Sequence, residues 1–164
     1  MFKARLLILV ALVMGTLAAL VPVTGQVQAK ELKFANFASP KSTLARAVIM
    51  PWINRVNPML KGTDLQIKGY MGGSLGRNPA KQLKLVRDGV ADFGFITLSY
   101  APSLFSDSTV IELPFLTRNG HDGSLAHWRL SQKIKLKGYD KVKWIALSAL
   151  PPYLIHMVKP IKGL

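Results

Sequence analysis

Met71-Gly72-Gly73-Ser74-Leu75-Gly76-Arg77 combines three glycines, a hydroxyl and a cation within seven residues. Glycines in such a loop let backbone N–H groups approach an anion, and a helix beginning just beyond adds a partial positive charge. The run is not G-x-G-x-x-G, because Met71 holds the place of the first glycine. No Gly-Lys-Ser/Thr follows to make a phosphate loop. Two readings stay open: a plain tight turn, or a loop in which Gly73 faces a small ligand. A second candidate is Thr97-Leu98-Ser99-Tyr100-Ala101-Pro102, where hydroxyls and an aromatic ring follow a short apolar segment. Ligands of open α/β sheets collect outside the carboxyl ends of the strands, so Thr97, Ser99 and Tyr100 are candidate contacts. Tyr100 can equally be a packed loop residue.

Catalysis finds less support. No carboxylate or second histidine stands at helical metal spacing from His121, His127 or His156, and the chain has no cysteine, which argues against a zinc site. Ser74 and Ser124 lack a nucleophile-elbow frame. Eight acidic residues supply paired-carboxylate chemistry poorly. The sequence therefore points to no enzyme, no metal and no cofactor. Arg129, Lys133, Lys135, Lys137, Lys141 and Lys143 form the densest basic stretch. With few aromatic residues between them, they read as a solvated face rather than a nucleic-acid footprint.

The elements that must position these residues follow from periodicity. Glu31 to Phe37 and Leu65 to Tyr70 alternate polar and apolar residues and predict two strands. Ser42-Thr43 can cap a helix carrying Leu44, Ala47, Val48 and Met50. Pro51 predicts a kink or restart before Trp52, Ile53 and Val56. Lys61 to Asp64 is a turn. Asn78-Pro79 reads as N-cap and first helical residue of a helix that ends at Gly89, with Lys81, Lys84 and Arg87 on its outer side. Ala91 to Ile96 and Val110 to Leu113 predict a third and a fourth strand. Asp122 to Leu136 predicts a helix with Leu125, Trp128 and Ile134 inward, closed by Gly138 at C′. Val142 to Leu150 and Tyr153 to Val158 read as two further apolar strands. Strand, helix, strand, helix, strand is the order of an α/β domain with a largely parallel sheet and flanking helices.

The start of the chain has its own logic. Lys3 and Arg5 precede an apolar run from Leu6 to Val13, which fades towards Val27-Gln28-Ala29. That order of charge, apolar core and small residues is a secretory signal, with cleavage expected after Ala29. A retained membrane anchor is the competing reading, weakened by Gly15, Thr16 and Pro22. Loss of Lys3 and Arg5 would lower the formal charge from +14 by two, to +12. Such a balance attracts anions, whether acidic solutes, nucleic acid or lipid headgroups; a missing acidic portion would explain it as well.

Several stretches together resemble solute-binding proteins of TRAP (tripartite ATP-independent periplasmic) transporters of the DctP-like type. They are Gly72-Gly73-Ser74-Leu75-Gly76, the run Gln82-Leu83-Lys84-Leu85-Val86-Arg87-Asp88-Gly89-Val90-Ala91-Asp92-Phe93, and Glu112-Leu113-Pro114-Phe115-Leu116. Pro51-Trp52 and Lys159-Pro160-Ile161 add to them. The resemblance implies a two-lobe periplasmic-binding-protein fold (type II-like) that closes on a ligand between its lobes. Residues 1–29 would be the signal, 30–150 the first α/β lobe, and 151–164 the start of the hinge crossover, with the second lobe missing. It implies a periplasmic protein that captures a small organic acid and hands it to TRAP membrane permease subunits. In this family a carboxylate is held by an arginine on a strand that would lie beyond Leu164. Thr97 and Tyr153 stand where sialic-acid binders carry an acidic residue and an arginine, so a smaller or more apolar acid suits Phe37, Tyr100 and Tyr153 better. The alternatives are a truncated remnant without a ligand and a basic module that binds polyanions.

Overall fold

The computed structural model describes residues 29–150 and Val158. The predicted signal segment, Tyr153 and the strand expected from Tyr153 onwards therefore lie outside the described residues, apart from Ala29 and Val158. Three strands, β1 (Lys30–Ala35), β2 (Leu65–Tyr70) and β3 (Phe93–Gly94), form one sheet in the order β2-β1-β3. All pairings are parallel, with Leu32 opposite Ile67 and Phe34 opposite Phe93. Parallel neighbours need crossover connections, and helical segments supply them here. The α/β class with a largely parallel sheet is what the alternation of strand and helix patterns required.

Between β1 and β2 the chain makes a π-helical turn (Ala45–Ile49) that passes directly into α1 (Met50–Val56). Pro51 has no N–H to donate to the turn before it, so the wider turn falls where the α-helical ladder is broken. Ser42 Oγ accepts from Ala45 N at 3.2 Å, as a cap should. The face that packs on the sheet is Ala45, Ile49 and Ile53, while Val48 and Met50 are exposed. Ile49, Ile53 and Ile67 are the centre of the core. Around them Phe34, Trp52 and Phe93 meet with ring centroids 5.8–6.2 Å apart.

Asn57, just past α1, closes the outer edge of β2. Its amide nitrogen donates to Ile67 O at 2.9 Å and its Oδ1 accepts from Ile67 N at 2.8 Å. One side chain thus stands in for a neighbouring strand, which is one way to blunt an open sheet edge. After β2, Asn78 caps a short 3₁₀ turn at Pro79–Lys81 through Ala80 N, and α2 (Gln82–Arg87) follows. Arg87 is not simply on an outer face: its guanidinium donates to Gly138 O and Asp140 O, both at 3.1 Å.

Five expectations need correcting. The third strand is two residues, not six, because only Phe93 and Gly94 pair with β1. Val110 to Leu113 is no strand; Thr109–Glu112 is a 3₁₀ turn with Ile111 buried. The last described helix, α3 (Gly120–Lys133), begins at an Asn119 cap and buries Gly123, His127 and Ser131. Leu125, Trp128 and Ile134 are 40–47% exposed instead. The reason is the segment after it: Ala149 Cβ lies where a side chain on Gly123 would go, and Ala149 N donates to Ser124 Oγ at 2.9 Å. Gly123 and Ser124 let that backbone approach α3, which large apolar side chains there would not. Val142 to Leu150 is accordingly an irregular, unpaired segment within the described residues, not a strand. Gly138 is not a helix cap either. It has φ +89° in a separate turn, and an added Cβ would run into the Leu104 carbonyl oxygen and the Phe105 ring.

Candidate functional site

The carboxyl ends of the three strands bring most of the sequence-derived candidates to one edge of the sheet. β1 leads into Asn36 and Phe37, β2 into Met71-Gly72-Gly73, and β3 into the turn Leu98–Tyr100. Asn36 organises this edge and was not singled out from the sequence. It is fully buried, its N–H donates to Tyr70 O at 2.9 Å, and its Oδ1 accepts from Ala38 N at 3.1 Å. Its carbonyl accepts from Gly73 N at 3.0 Å, while Gly72 N reaches Ala38 O at 2.8 Å. A lone polar residue after a strand carries no pattern that marks it beforehand.

The glycine loop is closed on itself. The Gly72 and Gly73 amides are spent on the β1 side, Gly76 N donates to Gly73 O, and Gln82 Nε2 bridges Gly76 O and Asn78 O at 2.7 and 3.0 Å. Gly73 has φ +72°, and a Cβ there would sit 2.7 Å from Arg77 Cα. The glycine is thus required by the tight turn of the loop itself, and these amides are already engaged. Gly73 is buried beneath the edge, and Arg77 folds over it as an exposed cation.

Above the loop, Phe37 and Tyr100 meet edge to face, ring centroids 5.7 Å apart and planes at 89°. Such a pair contributes about 0.5–1.5 kcal/mol beyond area burial and holds both rings in place. Tyr100 is 53% exposed, so one of its faces is open to a ligand. Thr97 and Ser99 flank it, and their hydroxyls have no hydrogen-bond partner among the described residues. Phe37, Gly73, Thr97, Ser99 and Tyr100 are thus gathered at one edge, and Tyr153 lies outside the described residues. The edge offers an aromatic corner, two hydroxyls and a cation. That set can bind an apolar or aromatic body with a polar end, and it holds no nucleophile and base in contact. Among the described residues no three His, Asp or Glu side chains converge as a metal site would require.

A profile of bacterial extracellular solute-binding protein family 7 matches residues 34–143. The chain is also similar to a TRAP solute-binding protein from Rhodoferax ferrireducens T118, solved with copurified benzoate. The identity is 28% and the TM-score 0.67, over 73% of this chain and 37% of that one. A TRAP periplasmic solute-binding protein from Desulfovibrio salexigens DSM2638 is 31% identical with a TM-score of 0.59, over 68% of this chain and 34% of that one. A marine metagenome TRAP solute-binding protein specific for aromatic acid ligands, bound to metahydroxyphenylacetate, is 26% identical with a TM-score of 0.58. It is covered over 32% of its length by 62% of this chain. The chain spans about a third of the length of these solved proteins.

Proposed function

The chain belongs to bacterial extracellular solute-binding protein family 7, a family of transporter binding proteins and not of enzymes, and on that premise we propose that it captures an organic acid outside the cytoplasm for a TRAP permease. Residues 1–29 act as the secretory signal, residues 30–150 form the first lobe, and 151–164 begin the hinge. The ligand is an apolar or aromatic carboxylate, held with its body against Phe37 and Tyr100 and its polar end towards Thr97, Ser99 and Arg77. The observation that carries this reading is the Phe37–Tyr100 pair at the carboxyl edge of a parallel sheet, where α/β folds place ligands. Similar proteins solved with benzoate and metahydroxyphenylacetate support an aromatic acid. One lobe supplies one wall of a closing site, and ligands usually lose most of their surface to both walls.

A thermal-shift screen of carboxylates, sugars and neutral amides tests the ligand class. A ligand that binds only the folded state stabilises it by about 2.7 kcal/mol at a hundredfold excess over Kd. Stabilisation by aromatic carboxylates at millimolar concentrations is expected. Stabilisation by sugars or amides, with none by acids, would overturn the reading.

A further inference from the structure

A further open space among the described residues lies away from Phe37 and Tyr100. A cavity of about 330 Å³ lies between the sheet and the irregular segment that runs from Tyr139 to Ser148. Seven aromatic rings wall it: Phe34, Trp52, Phe93, Phe95, Phe105, Tyr139 and Trp144. Phe105, Tyr139 and Trp144 pack in series with centroids 5.1 and 5.0 Å apart, which fixes that wall. Phe37 and Tyr100 do not line it.

His127 of α3 is on the same wall and only 1% exposed. Its Nε2 is buried with no hydrogen-bond partner among the described residues. A buried polar atom left unsatisfied costs free energy that a bound partner recovers. Three other side chains at the wall are engaged or exposed. Tyr139 OH is 3.0 Å from Ser108 Oγ, Asp92 Oδ2 accepts from Lys33 N at 2.8 Å, and Lys143 is exposed. His127 Nε2 is thus a buried side-chain atom without a partner at the wall of a mainly apolar, ring-lined space.

We propose that this cavity is a second binding site, for a small neutral aromatic alcohol of one or two rings whose hydroxyl bonds His127 Nε2. The size fits: an apolar cavity of about 150 Å³ accepts a benzene ring, and this one is about twice that volume. A hydroxyl both donates and accepts, so it satisfies either imidazole tautomer. A carboxylate suits the space poorly, because no buried cation awaits it and desolvating its charge is costly. The inference does not depend on organic-acid capture at the sheet edge.

Titration calorimetry of the 164-residue chain with 4-ethylphenol, ethylbenzene and 4-ethylbenzoate tests it. 4-Ethylphenol should bind saturably, with ethylbenzene about tenfold weaker for want of the hydroxyl. His127→Phe should bring the phenol to the affinity of ethylbenzene and leave ethylbenzene unchanged. Ala146→Trp, on the irregular segment, should block both ligands, and it decides the matter if the His127 variant fails a circular-dichroism check of folding. Tyr100→Ala should change neither. An absence of saturable phenol binding, as further polypeptide packed into the cavity would produce, overturns the proposal. So does phenol affinity unchanged in His127→Phe or Ala146→Trp, or equally tight binding of 4-ethylbenzoate.

Discussion

Replacing Asn57 with alanine removes two hydrogen bonds with one substitution, and both lie on the strand that carries the glycine loop. Asn57 donates to Ile67 O at 2.9 Å and accepts from Ile67 N at 2.8 Å, in a part-buried position. Ile67 itself is buried in the core, so its freed N–H and C=O would reach water poorly. At about 1 kcal/mol net per bond the loss is about 2 kcal/mol, rising towards 3 if either backbone group stays dry. For a domain of this size that corresponds to roughly 6–10 °C in melting temperature. Asn57→Asp keeps the acceptor for Ile67 N but sets a carboxylate oxygen against the Ile67 carbonyl oxygen, so its loss should be at least that of alanine at neutral pH. Urea unfolding followed by circular dichroism measures both, and the midpoint should fall without a change in slope. A loss under about 0.5 kcal/mol for Asn57→Ala would show that the edge of β2 is not closed by this side chain.

Gly138→Ala and Gly62→Ala place the same change at the same φ of +89°, but only Gly138 has neighbours in the way. Gly138→Ala should cost about 2–4 kcal/mol from strain and overpacking, against about 1 for Gly62→Ala, as read from urea midpoints. Burial lowers the pKa of His127 below its ordinary 6.5, so the unfolded chain binds more protons on acidification. The stability tied to neutral His127 should be complete above about pH 6.5 and lost as pH falls through the folded-state value; His127→Phe should flatten that part of the profile. Export predicts an intact mass for a periplasmic chain that begins at Lys30; a membrane-bound chain retaining Met1 would refute cleavage.

The sheet was legible because β1 and β2 alternate cleanly and Asn78-Pro79 marks a helix start by two independent signals. Proline at 51 marked a break, although not that the turn before it would widen to a π-turn. Residues 109–150 were the least legible. There the apolar residues Leu125, Trp128 and Ile134 repeat at helical spacing, yet α3 packs through Gly123, His127 and Ser131. Periodicity assumes that the buried face is the apolar one, and a backbone crossing close to a helix selects small residues instead. The position of Thr97, Ser99 and Tyr100 just past β3 followed from the strand end and residue types, whereas Phe37 entered through the family resemblance. Asn36, which holds that edge together, and the cavity beside His127 depend on contacts between distant segments and left no local mark.

The most direct measurement is an NMR titration of the isotopically labelled 164-residue chain with benzoate and with succinate. Amide shifts should move at Phe37, Gly73, Thr97, Ser99 and Tyr100, more for benzoate than for succinate. They should saturate only in the millimolar range, corresponding to about −4 kcal/mol, because one wall is engaged. Micromolar saturation would show that this lobe carries a complete site. Shifts confined to other regions, or no shifts with either acid, would contradict capture of an organic acid at the carboxyl edge of the sheet.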